Sequence, residues 1–167
     1  MTQPSSQLNG AEQDAVAIRH ARDADLGFVR TLSAEAFAAY GDYSGILPAW
    51  LNDPTVQTIL AELPDADAVG FAMLGPRRSH RLLAIPGGEL LALAVSPQLR
   101  HRGIGRRLLL EVERCARAAR MRELWLSTAT SNVPARRLYA SAGFTVRSLD
   151  RRRYPSGHVA LEMAKRL

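Results

Sequence analysis

The spacing of apolar positions along the chain switches between two periods. Ala15 to Ala21 is a short apolar run suited to a first strand. Leu26, Val29, Leu32, Phe37 and Tyr40 then recur near every 3.6 residues, which predicts a helix capped by Asp23 or Asp25 and stopped by Gly41 and Asp42. Gly41 to Pro54 mixes aromatics with turn formers and reads as a short helix plus loop, covering the sheet or facing a ligand. Thr55 to Leu63 and Ala68 to Leu74 are β-rich and separated by Pro64 to Asp67, a hairpin pattern; Gly75 to Gly88 carries a loop. Glu89 to Val95 is apolar on both faces after its glutamate, the mark of a central strand covered on each side.

From Gly103 the period returns to 3.6. Ile104, Leu108, Val112, Cys115 or Ala116, and Ala119 form a stripe opposite arginines, an amphipathic helix. Glu123 to Ala129 is the next strand. Pro134 sits at the start of a helix capped by Ser131 or Asn132 and closed by Gly143; Phe144 to Leu149 and Val159 to Met163 complete an antiparallel pair. The order β-α-(α)-β-β-β-α-β-α-β-β predicts a single-domain α/β fold, a mixed sheet flanked by helices over residues 15–167. Residues 1–14, rich in Ser, Gln and Asn, are expected to be a disordered tail.

Composition narrows the function classes. With 167 residues and 47% apolar content the chain supports one core, and no apolar run is long enough to span a bilayer. The start lacks the basic and apolar segments of a secretory signal, so a cytoplasmic location without membrane association is expected. The lone Cys115 offers no internal disulfide, and the histidines share no ligand spacing, so no metal is expected. Charge is divided: residues 1–95 hold 6 basic and 11 acidic groups, residues 96–167 hold 16 basic and 5 acidic. If the two halves wall one cleft, the basic wall suits an anionic ligand. The acidic one, with Glu35, Asp42 and Asp53, suits a cationic one. The basic half has no interleaved aromatics for base stacking, which argues against nucleic acid.

The sharpest local signal is Val95-Ser-Pro-Gln-Leu-Arg100-His-Arg102-Gly103-Ile104-Gly105-Arg106-Arg107, a buried strand, a tight loop with two glycines, then a helix. Gly103 and Gly105 allow close approach of backbone N–H groups to an anion, and the helix start adds unpaired N–H groups and the positive dipole end. Phosphate binding follows, unless the glycines serve only the tight junction. The third glycine of the dinucleotide fingerprint and the Gly-Lys-Ser/Thr of the Walker loop are both missing.

Arg100-x-x-Gly103-x-Gly105 resembles the acetyl-CoA signature of the GCN5-related N-acetyltransferase (GNAT) superfamily. Asn132-x-x-Ala135-x-x-x-Tyr139 followed by Gly143-Phe144 resembles its second conserved block. The resemblance covers about residues 16–165 and implies the splayed acyl-CoA N-acyltransferase sheet, with acetyl-CoA lodged where Glu89–Val95 and Glu123–Ala129 diverge. It further implies that the Val95 and Leu93 backbones pair with the pantetheine arm. The Arg102, Gly103, Ile104, Gly105, Arg106 and Arg107 amides would hold the pyrophosphate, and Asn132 would steady the pantetheine or cap its helix. Tyr139 would protonate the departing thiolate, the alternative being a core aromatic. Glu89 resembles the base used by some members, or marks a strand end in solvent.

The implied activity is acetyl transfer from acetyl-CoA to a primary amine, small or presented by a protein, with a cationic amine expected from the charge split. Alternatives within the resemblance are a protein N-terminal or lysine acetyltransferase and a non-catalytic acyl-CoA-binding or sensing protein. A homodimer is compatible with all of these.

Overall fold

The apolar runs pair into a seven-stranded sheet of order β1-β2-β3-β4-β5-β7-β6, seen here in a computed structural model that describes residues 16–43, 45–64, 68–77 and 86–167. The strands are β1 (Ala17–His20), β2 (Gln57–Glu62), β3 (Ala68–Pro76), β4 (Gly87–Val95), β5 (Glu123–Ala129), β6 (Thr145–Asp150) and β7 (Ala160–Arg166). The helices are α1 (Leu26–Phe37), α2 (Ile46–Leu51), α3 (Ile104–Ala118) and α4 (Val133–Ser141). This is the predicted element order. The expected tail at 1–14, most of the Pro64–Asp67 turn and the loop interior at 78–85 lie outside the described residues.

All neighbouring strands pair antiparallel except β4 and β5, which run parallel from Gly87–Glu123 only as far as Leu90–Leu126. Beyond that point the two strands part, while β4 stays on β3 and β5 stays on β7 to Ala129–Ala160. Two cores cover the sheet. Ile104, Leu108, Leu109 and Val112 of α3 pack with Ile59, Leu74, Leu90 and Leu126 on one face. Val29 and Leu32 of α1 and Leu47 of α2 pack with Leu60, Phe71 and Met73 on the other. The continuous apolar character of β4 thus reflects burial on both sides. Its pairing with β3 skips Leu91, a bulge that places Leu91 and Ala92 against the same core.

Three local expectations are corrected. Asp25 precedes α1, but its carboxylate accepts from the Arg22 N–H at 2.7 Å and from Arg19 at 2.7 and 2.8 Å, and makes no side-chain cap to the helix. That pairing holds the Asp25 carboxyl below the usual carboxylate range. The first helix ends at Phe37, with a turn over 38–40 before Gly41. Finally, α4 begins at Val133, so Pro134 is its second residue.

Cys115 is buried in α3, and burial pushes its thiol up, as befits a core filler rather than a nucleophile. Beside it on the same helix Glu113 is 2% exposed and accepts from Lys165 Nζ at 2.7 and 2.8 Å and from Arg117 at 3.2 Å. Lys165 is the chain's one lysine and joins β7 to α3. Lys165→Met is expected to cost about 3 kcal/mol in urea unfolding, because it strands most of a buried carboxylate's compensation, whereas Glu113→Leu combined with Lys165→Met should recover most of the loss. Equal stability of the single and double variants would remove this pair from the stabilising contacts.

Candidate active site

Where β4 and β5 part, a cleft of about 710 Å³ opens. Its floor is unpaired backbone. Ser96 donates to the Val69 carbonyl at 2.9 Å, which makes Gly70 and Val95 a non-hydrogen-bonded pair of the β3–β4 ladder. By the same alternation Ala92 and Ala94 bond to β3, while Leu93 and Val95 turn their N–H and C=O toward the side that β5 has left. The Val95 carbonyl is taken by Arg100 Nε at 3.1 Å, which folds the following loop back on the strand. The Leu93 N–H and C=O and the Val95 N–H therefore face the gap. In amide hydrogen exchange Leu93 and Val95 are expected to exchange faster than Ala92 and Ala94, and to slow when a ligand carrying amides fills the gap. Equal protection of all four in the free protein would mean that the gap is closed in solution.

One end of the cleft is the start of α3. His101 (φ 63°) and Gly103 (φ 77°) both adopt left-handed backbone, and this double turn reverses the chain from strand to helix. Gly103 is the N-cap, and the first helical bond runs from Arg107 N–H to Gly103 O at 3.0 Å. The Ile104, Gly105 and Arg106 N–H groups precede that bond and have no carbonyl within the helix. The amide of Arg107 is thus already spent, and this corrects its assignment as an anion donor. Arg100, His101, Gly103, Ile104, Gly105 and Arg106 line the cleft; Arg102 and Arg107 are not among its lining residues. The lining here is cationic and rich in N–H donors, which suits an anion.

Opposite β4, α4 supplies Asn132, Ala135, Leu138 and Tyr139. Asn132 is the N-cap, its Oδ1 accepting from Ala135 N–H at 3.3 Å, so the capping role is realised on a residue that also lines the cleft. Tyr139 is 6% exposed, stands edge-on to Phe144 at 6.0 Å, and its hydroxyl makes no hydrogen bond among the described residues. Burial pushes its phenol well above the usual range, so it holds its proton throughout the physiological pH range.

Glu89 is placed differently from the rest. It does not line the main cleft but an adjoining cavity of about 170 Å³, together with Arg77, Trp125 and Glu162. Ser127 and Arg153 line both spaces. Glu89 Oε1 pairs with Arg153 Nη2 at 2.9 Å, and its side chain is 21% exposed. Glu89 is thus neither a bare strand end in solvent nor an isolated carboxylate, but one paired with a guanidinium.

At the far mouth the stretch Gly41 to Pro54, read as covering the sheet or facing a ligand, does both: Leu47 packs in the core, while Tyr43 and Trp50 line the cleft. Phe37, Tyr40, Tyr43 and Trp50 line it from α1 and α2, with Tyr154 from the β6–β7 connection. The Tyr40 and Tyr154 rings lie 5.3 Å apart, Tyr40 meets His158 edge-on at 5.4 Å, and Ser156 Oγ donates to the Tyr40 carbonyl at 3.2 Å. Burial pushes the Tyr154 phenol up to about 12. The aromatic density of Phe37 to Trp50 was the available signal. Glu35, Asp42 and Asp53 are not among the lining residues, and Asp53 accepts from the Thr55 N–H at 2.8 Å and hydroxyl at 2.7 Å. The acidic wall expected from the charge split is thus replaced, within the cleft, by aromatic faces. Among the described residues no His, Cys, Asp or Glu cluster fits a metal ion, and no helix is long and apolar enough to cross a membrane.

Comparison with known proteins follows the same lines. Residues 18–144 match the model of the acetyltransferase (GNAT) family. Among solved structures, the ribosomal-protein-alanine N-acetyltransferase from Brucella melitensis is 27% identical, with TM-score 0.76 over 90% of this chain and 99% of that one. A GCN5-related N-acetyltransferase from Kribbella flavida is 22% identical, with TM-score 0.77 over 92% and 99%. The yncA protein from Salmonella typhimurium, solved with its cofactor acetyl-CoA, is 23% identical, with TM-score 0.78 over 92% and 94%; these last two share the fold. A comparison with curated proteins gives no match.

Proposed function

The chain belongs to the acetyltransferase (GNAT) family, and from that premise we propose that it moves the acetyl group of acetyl-CoA onto a primary amine by direct attack within a ternary complex. The observation that carries this reading is the parting of β4 and β5 beyond Leu90 and Leu126, which leaves the backbone of Leu93 and Val95 facing a cleft that ends on the start of α3. The residues present fit acetyl-CoA. The Ile104, Gly105 and Arg106 amides with Arg100 would hold its phosphates. The free β4 groups would bond its amide-bearing arm as an added strand does. When bound it supplies an activated acyl group on a thiol leaving group.

The protein's own part then divides by position. A β4 N–H facing the gap would stabilise the negative charge that develops on the acyl oxygen. Tyr139 keeps a proton to donate to the departing sulfur. Glu89 accepts the proton of the ammonium through water by way of Ser127 and the smaller cavity, which adjoins the cleft. A protein N-terminal amine is the second reading of the acceptor, favoured by the 27% identity to the Brucella enzyme. Calorimetry with acetyl-CoA, then an amine panel monitored by CoA release, tests the proposal. Acetyl-CoA binding with amine-dependent CoA release supports it. Binding without release for any small or peptide amine would leave a sensing protein instead.

A further inference from the structure

Building on the acetyl-transfer reading, we propose that Arg153 recognises a carboxylate on the acceptor, so that the amine acetylated is that of a free α-amino acid with a large apolar side chain. The cleft is asymmetric in its charges. Arg100 and Arg106 stand at the α3 end, no carboxylate lines it among the described residues, and Arg153 brings the charge at the aromatic end. A guanidinium carries five donors in a planar fork. Arg153 uses Nη2 on Glu89, and its Nε and Nη1 make no hydrogen bond among the described residues; the side chain is 40% exposed. The second N–H of Nη2, with the adjacent Nε–H or Nη1–H, therefore remains as a fork that can grip a second carboxylate with two parallel bonds.

The guanidinium is also held in place. It follows β6 in a connection whose next residues are fastened across the mouth, Tyr154 on the Tyr40 ring and Ser156 on the Tyr40 carbonyl. Aromatic walls from Tyr40, Tyr43, Trp50 and Tyr154 surround the space beside it and suit an apolar side chain. In an α-amino acid a single carbon separates carboxylate from amine. A carboxylate on Arg153 therefore brings the ammonium close to Glu89, whose Oε2 has no partner among the described residues and is free to take its proton. Arg153 in this arrangement joins acceptor and base, a positioning residue for Glu89 as well as a specificity residue.

The test compares L-phenylalanine, L-leucine and L-tryptophan with their amides and with the corresponding decarboxylated amines, at saturating acetyl-CoA, by CoA release. The native chain is expected to favour the free amino acids by about 10- to 100-fold in kcat/KM, the range of a charge-assisted contact. Arg153→Gln should erase that preference by raising KM for the amino acids alone and leave acetyl-CoA affinity in calorimetry unchanged. Arg153→Lys should keep part of the preference. Calorimetric binding of L-phenylalanine to the native protein with CoA present gives a readout independent of any variant's folding, and its absence overturns the inference. CoA release with amides, decarboxylated amines or peptide N-termini at least equal to that with free amino acids overturns it and leaves acetyl transfer standing. No release with any amine overturns both.

Discussion

Tyr139→Phe is expected to lower the rate of acetyl transfer by about 100-fold, within the range for loss of a general acid, while acetyl-CoA affinity and thermal stability stay near those of the native chain. The ring is what the fold uses: it is buried, edge-on to Phe144, and belongs to the core beneath α3. The hydroxyl makes no hydrogen bond among the described residues, so removing it strands no partner. The same burial keeps the phenol protonated, so the loss should be of similar size from about pH 6 to pH 9, with no recovery as pH rises through the range where an exposed tyrosine would begin to ionise. Single-turnover kinetics with pre-bound acetyl-CoA is the measurement, because product release can mask a slower chemical step. A native single-turnover rate in the variant would return Tyr139 to a purely structural part.

The element order was legible because each segment repeats a short local period, and the order of periods admits few topologies. Ile104 to Ala116 announces α3 by its stripe, and Glu89 to Val95 announces a central strand by lacking one. The glycine turn that opens the cleft's α3 end was legible for a related reason: Gly103 and Gly105 lie at the start of the helix whose free N–H groups they expose. What the sequence hid depends on pairs far apart in the chain. Glu89 meets Arg153 across 64 residues, and Tyr40 meets Ser156 across 116, so neither the guanidinium beside Glu89 nor the fastening of the β6–β7 connection over the mouth has a local signature. The acidic half failed as a guide for another reason. Net charge over a stretch of chain says nothing of where each carboxylate turns, and Asp53 turns to Thr55 while Asp25 turns to Arg19.

Gly105→Leu is expected to weaken acetyl-CoA binding by at least about 100-fold, or some 2.7 kcal/mol, while the chain still folds. A β-carbon at this position would lie 3.4 Å from Leu138 Cδ2, 3.7 Å from Leu93 Cδ2 and 3.9 Å from Val95 Cγ2, all ordinary contacts, so one carbon fits between β4 and α4 without displacement. Those three neighbours line the cleft themselves, as does Gly105, so the further carbons of leucine would crowd it. Leucine also favours the helix over glycine by up to about 1 kcal/mol, which offsets part of any crowding. Gly105→Ala serves as the control, since it adds the single carbon that fits and keeps the left-handed turn at Gly103. Calorimetry with acetyl-CoA on both variants, alongside thermal melts, separates the outcomes. Lost affinity with an unchanged melt places the ligand in the gap between β4 and α4. Lost affinity with a melt lowered by several degrees means that leucine has overpacked the core beneath α3 instead. Retained affinity in a folded Gly105→Leu protein would show that the cosubstrate does not use this gap, and the roles of Leu93, Val95 and Tyr139 would fall with it.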